Sequence, residues 1–334
     1  METTIIAMPL LIALIALALA FDFLNGLHDA ANSIATVVST RLLKPVHAVL
    51  FAAFFNFAAY WIFGLKVAET IGKGIINADI VNPQVIFGAL VGAMFWNVVT
   101  WWKGIPSSSS HALVGGLIGA GVMRAGLDGI VWSGVLKTAS AIVLSPTIGM
   151  ILSILLVVLT SWIFLRATAK RAEGVFKKLH LVSSAAYSLG HGANDAQKTM
   201  GIITVLLYST GYLSGEFEVP HWVAIACYIA IAMGTATGGW RIIETMGSRI
   251  TKLSQHQGFS ASTAGSIVIF GASWLGIPVS TTHTITGSII GAGVARRASA
   301  VRWGVAREVV TAWIITIPAS AAVGALFYGL TTLF

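Results

Sequence analysis

Apolar stretches of about 18 residues or more recur along the chain, and short polar motifs lie between or within them. Stretches of this length are typical of α-helices that cross a bilayer. The pattern predicts about five spans in each half of the chain. The predicted spans are residues 4–27, 46–65, 84–102, 106–123 and 130–165, followed by 182–209, 221–240, 260–275, 277–294 and 304–332. We therefore expect an all-α polytopic membrane protein.

The polar motifs occur twice, once in each half of the chain. Residues 26–32 (GLHDAAN) resemble residues 192–198 (GANDAQK), and residues 102–111 (WKGIPSSSSH) resemble residues 274–283 (WLGIPVSTTH). A regular duplication in so apolar a chain indicates a transporter built from two halves, whose polar residues meet where the halves meet. We expect broken or re-entrant helices at these motifs, near the membrane midplane.

The distribution of Lys and Arg residues predicts the topology. Most of them lie in the odd-numbered loops between the predicted spans, and positive charge stays on the cytoplasmic side of a membrane. Both termini are therefore expected outside the cytoplasm. Because each half has an odd number of spans, the second half enters from the opposite side, which makes the repeats inverted. The predicted organisation is a first inverted repeat at 1–165, a short basic cytoplasmic linker at 166–181 and a second inverted repeat at 182–334.

Composition narrows the function classes further. Only 10% of the residues are charged and 56% are hydrophobic, whereas a soluble domain carries about 25% charged residues. The net charge of +8 does not indicate nucleic-acid binding, because the basic residues lie in interhelical loops and not in a stripe with interleaved aromatics. The single Cys227 excludes a disulfide framework and a Cys metal site. The N-terminal apolar run lacks a basic leading segment, so we expect a retained span and not a signal peptide.

Two acids in the repeated motifs, Asp29 and Asp195, are candidates for binding the coupling ion or proton. A carboxylate near the bilayer centre costs about 2.5–3.5 kcal/mol, so it persists there only if it is paired, hydrated or bound to a cation. Gly26, Gly190 and Gly192 precede the acids, and helix unwinding at these glycines would expose the carbonyl oxygens that hard cations prefer. The alternative is that both acids cap helix ends at the membrane interface.

The second repeated motif, at 106–111 and 278–283, combines Pro, clustered hydroxyls and a closing His. Pro favours the first turn of a helix, and Ser or Thr caps it. Exposed N–H groups at a helix start bind oxyanions with the help of the helix dipole, and hydroxyls add neutral donors. Two such starts, brought together by the inverted repeat, could hold a tetrahedral dianion and still release it. The alternative is that the hydroxyls only bond the preceding turn of a membrane helix.

Four further residues form symmetric pairs. His111 and His283 could carry protons, because His titrates near neutral pH, or they could stay neutral and position the hydroxyl loops. Glu69 and Glu244 lie in a repeated Glu-Thr-x-Gly motif. They are candidate proton or cation sites if they lie within the membrane, and helix caps if they lie at its edge.

The repeated motifs resemble those of the inorganic phosphate transporter (Pit/PiT) family, and most of all those of bacterial low-affinity phosphate permeases. The resemblance rests on residues 25–37 (NGLHDAANSIATV), 191–198 (HGANDAQK) and 276–283 (GIPVSTTH), within a similarity that extends over most of the chain. It implies a symporter that imports inorganic phosphate with protons or sodium, and in some bacterial members as a neutral metal–phosphate complex. Homodimers are known in the family. We therefore expect a multi-pass protein of the cell inner membrane, with a homodimer as its assembly.

The expected site combines the residue patterns with the resemblance. The expected phosphate-binding residues are Ser107, Ser108, Ser109, Ser110, Ser280, Thr281, Thr282, Asn32, Asn194 and Gln197. The expected cation- or proton-coupling residues are His28, Asp29, Asp195, Glu69, Glu244, His111 and His283. A transported Na⁺ would be bound by Asp29, Asn32, Asn194 and Asp195, and no cofactor is expected. Sodium-coupled members commonly carry Asn where this chain has His28, which favours protons.

Other functions fit parts of the pattern. A sulfate permease on the same scaffold is the alternative, since sulfate is also tetrahedral but has no proton to donate at neutral pH. An intramembrane hydrolase using Ser, His and Asp is disfavoured, because hydroxyls are clustered in both halves and no single nucleophile stands out. A passive channel would pass the anion without a cation gradient. The expectation is a secondary transporter for phosphate with no enzymatic activity.

Overall fold

The computed structural model describes residues 6–333, and these residues fold into α-helices joined by short turns. The α-helices are α1 (Met8–Ser39), α2 (Pro45–Ala58), α3 (Lys66–Gly74), α4 (Pro83–Lys103), α5 (Ser109–Ala125), α6 (Trp132–Ile163), α7 (Ala169–Ser209), α8 (His221–Thr237), α9 (Trp240–Glu244), α10 (Gln255–Trp274), α11 (Thr281–Arg296) and α12 (Trp303–Thr331). No β-strand forms within the described range. The beginning of the predicted span 4–27 and the chain ends, residues 1–5 and 334, lie outside it.

Four to six helical segments are long and apolar enough to cross a membrane. Four are single helices: α1, α4, α6 and α12. Two more are bent pairs, in which Pro45–Trp61 meets Lys66–Gly72 at 89° and His221–Thr237 meets Trp240–Arg249 at 67°. The helices α5 and α11 have only 17 and 16 residues, fewer than the roughly 20 that a span needs. The nearly all-helical, membrane-type fold is therefore confirmed, whereas five full spans per half stay a prediction.

The first and seventh helices are continuous where unwinding was expected. α1 runs unbroken through Gly26, and α7 runs unbroken through Gly190 and Gly192, so the prediction of unwound backbone beside the acids is wrong. The glycines serve close helix packing instead. A Cβ on Gly26 would collide with the carbonyl oxygen of Ile231 on α8, and one on Gly192 would collide with the backbone of Asn56 on α2.

The chain breaks instead at the hydroxyl motifs. Gly104 caps the C-terminus of α4, and Gly276 follows α10. Their φ angles are 67° and 66°, a left-handed conformation that glycine adopts without strain. The segments after these glycines lead into α5 and α11. Each Trp-x-Gly-Ile-Pro motif therefore stops one helix and starts the next, which explains why the two motifs share their spacing.

The predicted linker at 166–181 is mostly helical. α7 begins at Ala169, and the Oγ1 atom of Thr168 caps it by accepting a hydrogen bond from the backbone N–H of Arg171 at 3.4 Å. The exposed first turns carry an ion pair between Lys177 and Glu173 at 2.7 Å, and Lys177 lowers the pKa of Glu173 through this hydrogen bond and its charge. The polar composition of 166–181 indicated a loop, but the exposed end of a helix has the same composition.

Corresponding helices of the two halves make corresponding contacts. α5 packs against α12 and α11 packs against α6, while α1 packs against α8 and α7 packs against α2. Glycines permit the closest of these approaches. A Cβ on Gly119 would collide with the backbone of Ala321 on α12, and one on Gly291 would collide with the backbone of Met150 on α6. Each half therefore packs the short helix after its hydroxyl motif against the last helix of the other half.

Candidate functional site

The acids of the two halves lie side by side in the interior. One carboxylate oxygen of Asp29 on α1, one of Asp195 on α7 and a ring nitrogen of His191 all lie within 4.8 Å of one another. Asp29 is 2% exposed and Asp195 is 0% exposed. The contact arises because α1 and α7 pack directly against each other. The two acids that the repeat singled out therefore belong to one buried cluster, and neither caps a helix end.

Both helices present a stripe of buried polar side chains. On α1 the stripe follows the three- and four-residue spacing of one helix face and comprises Asp22, Asn25, Asp29, Asn32 and Thr36. On α7 the corresponding residues are Tyr187, His191, Asn194, Asp195 and Lys198. Each helix continues for about ten residues or more on both sides of Asp29 or Asp195, so these two acids lie away from the helix ends.

Asp195 forms a buried ion pair with Lys198. The Nζ atom of Lys198 donates hydrogen bonds to Asp195, to the Oγ atom of Ser110 at 2.5 Å and to the carbonyl oxygen of Val279 at 3.0 Å. The ammonium thus joins α7 to both hydroxyl motifs. Lys198 was not among the site residues predicted from the sequence. The available signal was its position three residues after an acid within a buried helix, where the two side chains share a face.

Two further groups contact Asp195. The Oγ1 atom of Thr281 donates a hydrogen bond to the carboxylate at 2.9 Å, and the Nε2 atom of His191 lies 3.1 Å from it. The other ring nitrogen of His191 is 3.2 Å from the Oδ1 atom of Asn56 on α2. Asp195 therefore contacts the Lys198 ammonium and polar groups from α7 and α11.

Asp29 contacts His28 and Thr282. The Nδ1 atom of His28 lies 2.7 Å from its Oδ1 atom, and the Oγ1 atom of Thr282 donates to the same oxygen at 3.4 Å. The other side of the His28 ring contacts the Oγ1 atom of Thr100 at 3.0 Å, which in turn accepts a hydrogen bond from Ser107 at 3.0 Å. His28 therefore links Asp29 to the hydroxyl motif of the first half.

The hydroxyl motifs start their helices in the same way. Ser108 caps α5 by accepting a hydrogen bond from the N–H of His111 at 3.2 Å, and Ser280 caps α11 by accepting one from the N–H of His283 at 3.1 Å. This agrees with the capping role expected of Ser and Thr after Pro. Both helix starts are buried, so their N–H groups and dipoles point into the protein interior.

The motif of the second half also contacts α1 and α7. The Nδ2 atom of Asn32 donates to the hydroxyls of Thr281 and Thr282 at 3.1 and 3.0 Å. The hydroxyl of Tyr187 donates to the carbonyl oxygen of Thr281 at 2.8 Å. In the first half Ser109 is buried, and its Oγ atom has no hydrogen-bond partner among residues 6–333. Thr281, Thr282 and, through its contact with Lys198, Ser110 therefore place hydroxyls of both motifs at the cluster.

The two His residues that close the motifs meet each other. The ring centroids of His111 and His283 are 4.6 Å apart, and His283 also stacks on Trp313 of α12 with a centroid distance of 3.8 Å. The Nε1 atom of Trp313 donates to the carbonyl oxygen of Pro106 at 3.2 Å. These contacts hold the two helix starts together, which suits the positioning role considered for both histidines.

Four predicted site residues do not contact the acids through their side chains. Two of them bond other helices, and two are exposed. The Oε1 atom of Gln197 accepts from the N–H of Val67 on α3 at 2.9 Å, and Asn194 donates to Ser273 on α10 at 3.0 Å. Glu69 and Glu244 are exposed on α3 and α9. The structure therefore does not bring the symmetric glutamates into the buried cluster, and their coupling role stays a prediction.

A helical fold with membrane-type spans and a buried cluster of acids, hydroxyls and one ammonium is characteristic of a membrane transporter. The chain belongs to the phosphate transporter family, whose model matches residues 25–324. This family consists of non-enzymatic transporters, so the substrate is phosphate and the protein is embedded in a membrane. Family membership gives no support to the sulfate alternative.

Individual relatives match along nearly their whole length. A probable low-affinity inorganic phosphate transporter of Rhizobium meliloti (strain 1021) is 64% identical over 328 residues, covering 98% of each chain. A protein of the same description from Bacillus subtilis (strain 168) is 43% identical over 325 residues, covering 97% of each chain. A solved structure described as the sodium-dependent phosphate transporter has a TM-score of 0.88 at 28% identity, and the match covers 98% of this chain and 100% of that one.

Proposed function

We propose that this protein is a symporter that imports inorganic phosphate together with protons, by alternating access between two inverted halves. One observation carries the proposal: capped helix starts from both halves converge with two acids and one ammonium in a buried cluster. The proposal includes location in the plasma membrane with both termini outside the cytoplasm. Homodimer assembly and transport of metal–phosphate complexes stay predictions from the family resemblance.

Phosphate would bind between the two hydroxyl motifs. The oxyanion would accept hydrogen bonds from the starts of α5 and α11 and from the side chains of Ser109, Ser110, Thr281 and Thr282. The ammonium of Lys198 lies against Ser110 and supplies the positive charge. Hydrogen bonds to an ionised partner are about twice as strong as neutral ones, so these donors favour an anion.

Coupling would arise because the same hydroxyls serve the acids and the anion. Thr281 and Thr282 now donate to Asp195 and Asp29. A hydroxyl has one proton to donate, so it cannot donate to a carboxylate and to phosphate at once. Protonation of an acid releases the hydroxyl to the anion, and binding of the anion in turn favours the protonated acid.

The ammonium of Lys198 favours protons over sodium as the coupling ion. It is held by a carboxylate, a hydroxyl and a carbonyl, the kinds of oxygen ligand that hard cations take. A side chain that already fills such a site leaves less need for a metal ion. The second candidate is sodium coupling, which is favoured by the structural relative described as sodium-dependent and by the close approach of Asp29, His191 and Asp195.

The experiment is uptake of radiolabelled phosphate into proteoliposomes, with pH and sodium gradients imposed separately. Proton coupling predicts accumulation with an inside-alkaline gradient in sodium-free buffer and its collapse when a protonophore is added. Accumulation that requires a sodium gradient would favour the second candidate. Uptake that never exceeds equilibrium under either gradient would contradict symport.

A further inference from the structure

One buried acid, Asp22 on α1, has no role in the phosphate site described above. Its side chain is 0% exposed, and neither carboxylate oxygen has a hydrogen-bond partner within the described part of the chain. Asp29 and Asp195 differ from it, because each has donors from a neighbouring His and a Thr. Asp22 is thus a buried acid that forms no ion pair within residues 6–333, and its immediate neighbours are uncharged polar groups.

The groups around Asp22 come from three helices. Asn25 on α1, Thr199 on α7 and Cys227 on α8 face its carboxyl group, with Tyr228 of α8 nearby. Among residues 6–333, polar atoms of Asn25, Thr199 and Tyr228 also lack hydrogen-bond partners. The charged groups close enough to act on Asp22 are Asp195 and Lys198. The titratable neighbours are thus Cys227, Tyr228, Asp195 and Lys198.

This environment suits a carboxyl group that gains and loses a proton. A buried carboxylate without a bonded cation or donor is costly, and such a group takes up a proton instead. When the surroundings open to water, the same group can ionise again. Unpartnered hydroxyls and amides beside it can reorient to bond either form.

We propose that Asp22 binds a coupling proton of its own, separate from Asp29 and Asp195. The proposal rests on proton-coupled phosphate transport as the function. In each cycle the Asp22 carboxylate takes one proton from the outer side and becomes a neutral acid. After the protein opens inward, the acid gives that proton to the cytoplasm and returns to the carboxylate, so one proton crosses with the phosphate.

The position of Asp22 explains how this proton would be coupled to the anion. Asp22 and Asp29 share a face of α1 seven residues apart, which places them about 10 Å apart along the helix axis. For an anion held beside Asp29, at about the same distance from Asp22 and an effective dielectric constant near 20, repulsion from an ionised Asp22 lowers affinity on the order of tenfold. Phosphate therefore binds better after Asp22 is protonated.

The test compares wild type with Asp22→Asn in proteoliposomes. Asn resembles the neutral acid but carries no proton, so exchange of internal for external radiolabelled phosphate continues. Net transport loses one proton per phosphate. The ratio of internal to external phosphate at which net flux stops therefore falls about tenfold for each pH unit of imposed gradient. Two control variants keep the wild-type ratio. Asp22→Glu retains a carboxyl group, and Asp128→Asn changes an exposed acid in the turn after α5.

The possible outcomes separate the two proposals. An unchanged flux-reversal ratio in Asp22→Asn overturns the assignment of a proton to Asp22. Loss of exchange together with net transport in that variant also overturns it, because Asp22 is then structural. If wild type itself shows no dependence of the reversal ratio on pH, the proposal of proton-coupled transport fails, and the role of Asp22 fails with it.

Discussion

Neutralising Asp195 alone should be far more damaging to the fold than neutralising it together with Lys198. Asp195 is fully buried, and Lys198 contacts it directly. Removing one partner of a buried ion pair leaves an uncompensated charge and costs about 3–5 kcal/mol. The variant Asp195→Asn leaves the Lys198 ammonium with only Ser110, Val279 and an amide oxygen, so we expect a loss in this range.

The double variant Asp195→Asn/Lys198→Met is the matched control. It removes both charges and fills the space of the lysine stem with an apolar chain of similar length, a replacement that is often neutral for stability. We expect the double variant to recover most of the lost stability. Thermal unfolding of purified protein, followed by intrinsic fluorescence of its 11 Trp residues, measures both effects.

Phosphate uptake separates the role of the pair in transport from its role in the fold. We expect both variants to reach the membrane and neither to accumulate phosphate, because the acid that accepts from Thr281 is gone in each. Full uptake by the well-folded double variant would remove Asp195 from the mechanism. A single variant that unfolds at the wild-type temperature would refute the buried ion pair.

Two further predictions concern the helices that carry the hydroxyl motifs. Gly291→Ala should destabilise the protein, because the new methyl group collides with the backbone of Met150. The control Gly271→Ala has nothing within 4 Å of the added Cβ and should be neutral or stabilising by up to about 1 kcal/mol. Thermal unfolding compares the two variants. Ser280→Ala removes the side chain that caps the N–H of His283. This should lower the free energy of unfolding by about 1 kcal/mol and raise the KM for phosphate. A wild-type KM in this variant would show that this helix start does not bind the anion.

The duplication of motifs correctly predicted that Asp29 and Asp195 meet, but the duplicated Glu69 and Glu244 lie outside their cluster. Asp29 and Asp195 lie far apart in sequence and have little in common except an apolar context and a repeated motif. The structure brings them within reach of one His, as expected when related polar residues of two halves face each other. The caps at Ser108 and Ser280 were predictable for the same reason, since Pro followed by hydroxyls is a strong signal for a helix start.

Other features could not be derived from the sequence. Gly26 and Gly192 could serve either a break in the helix or a close approach of another helix, and only the positions of Ile231 and Asn56 decide between these uses. Lys198 and Asp22 were missed because their neighbours come from other helices and turns, which spacing along the chain does not show.

The central claim is that both halves contribute to one phosphate site. The most direct measurement is the rise in unfolding temperature with added phosphate, using sulfate at equal ionic strength as control. Saturation at 100 times Kd should stabilise wild type by about 2.7 kcal/mol. We predict that Ser109→Ala in the first half and Thr281→Val in the second each weaken this protection. Full protection in either variant would show that its half does not hold the anion, which would contradict the account.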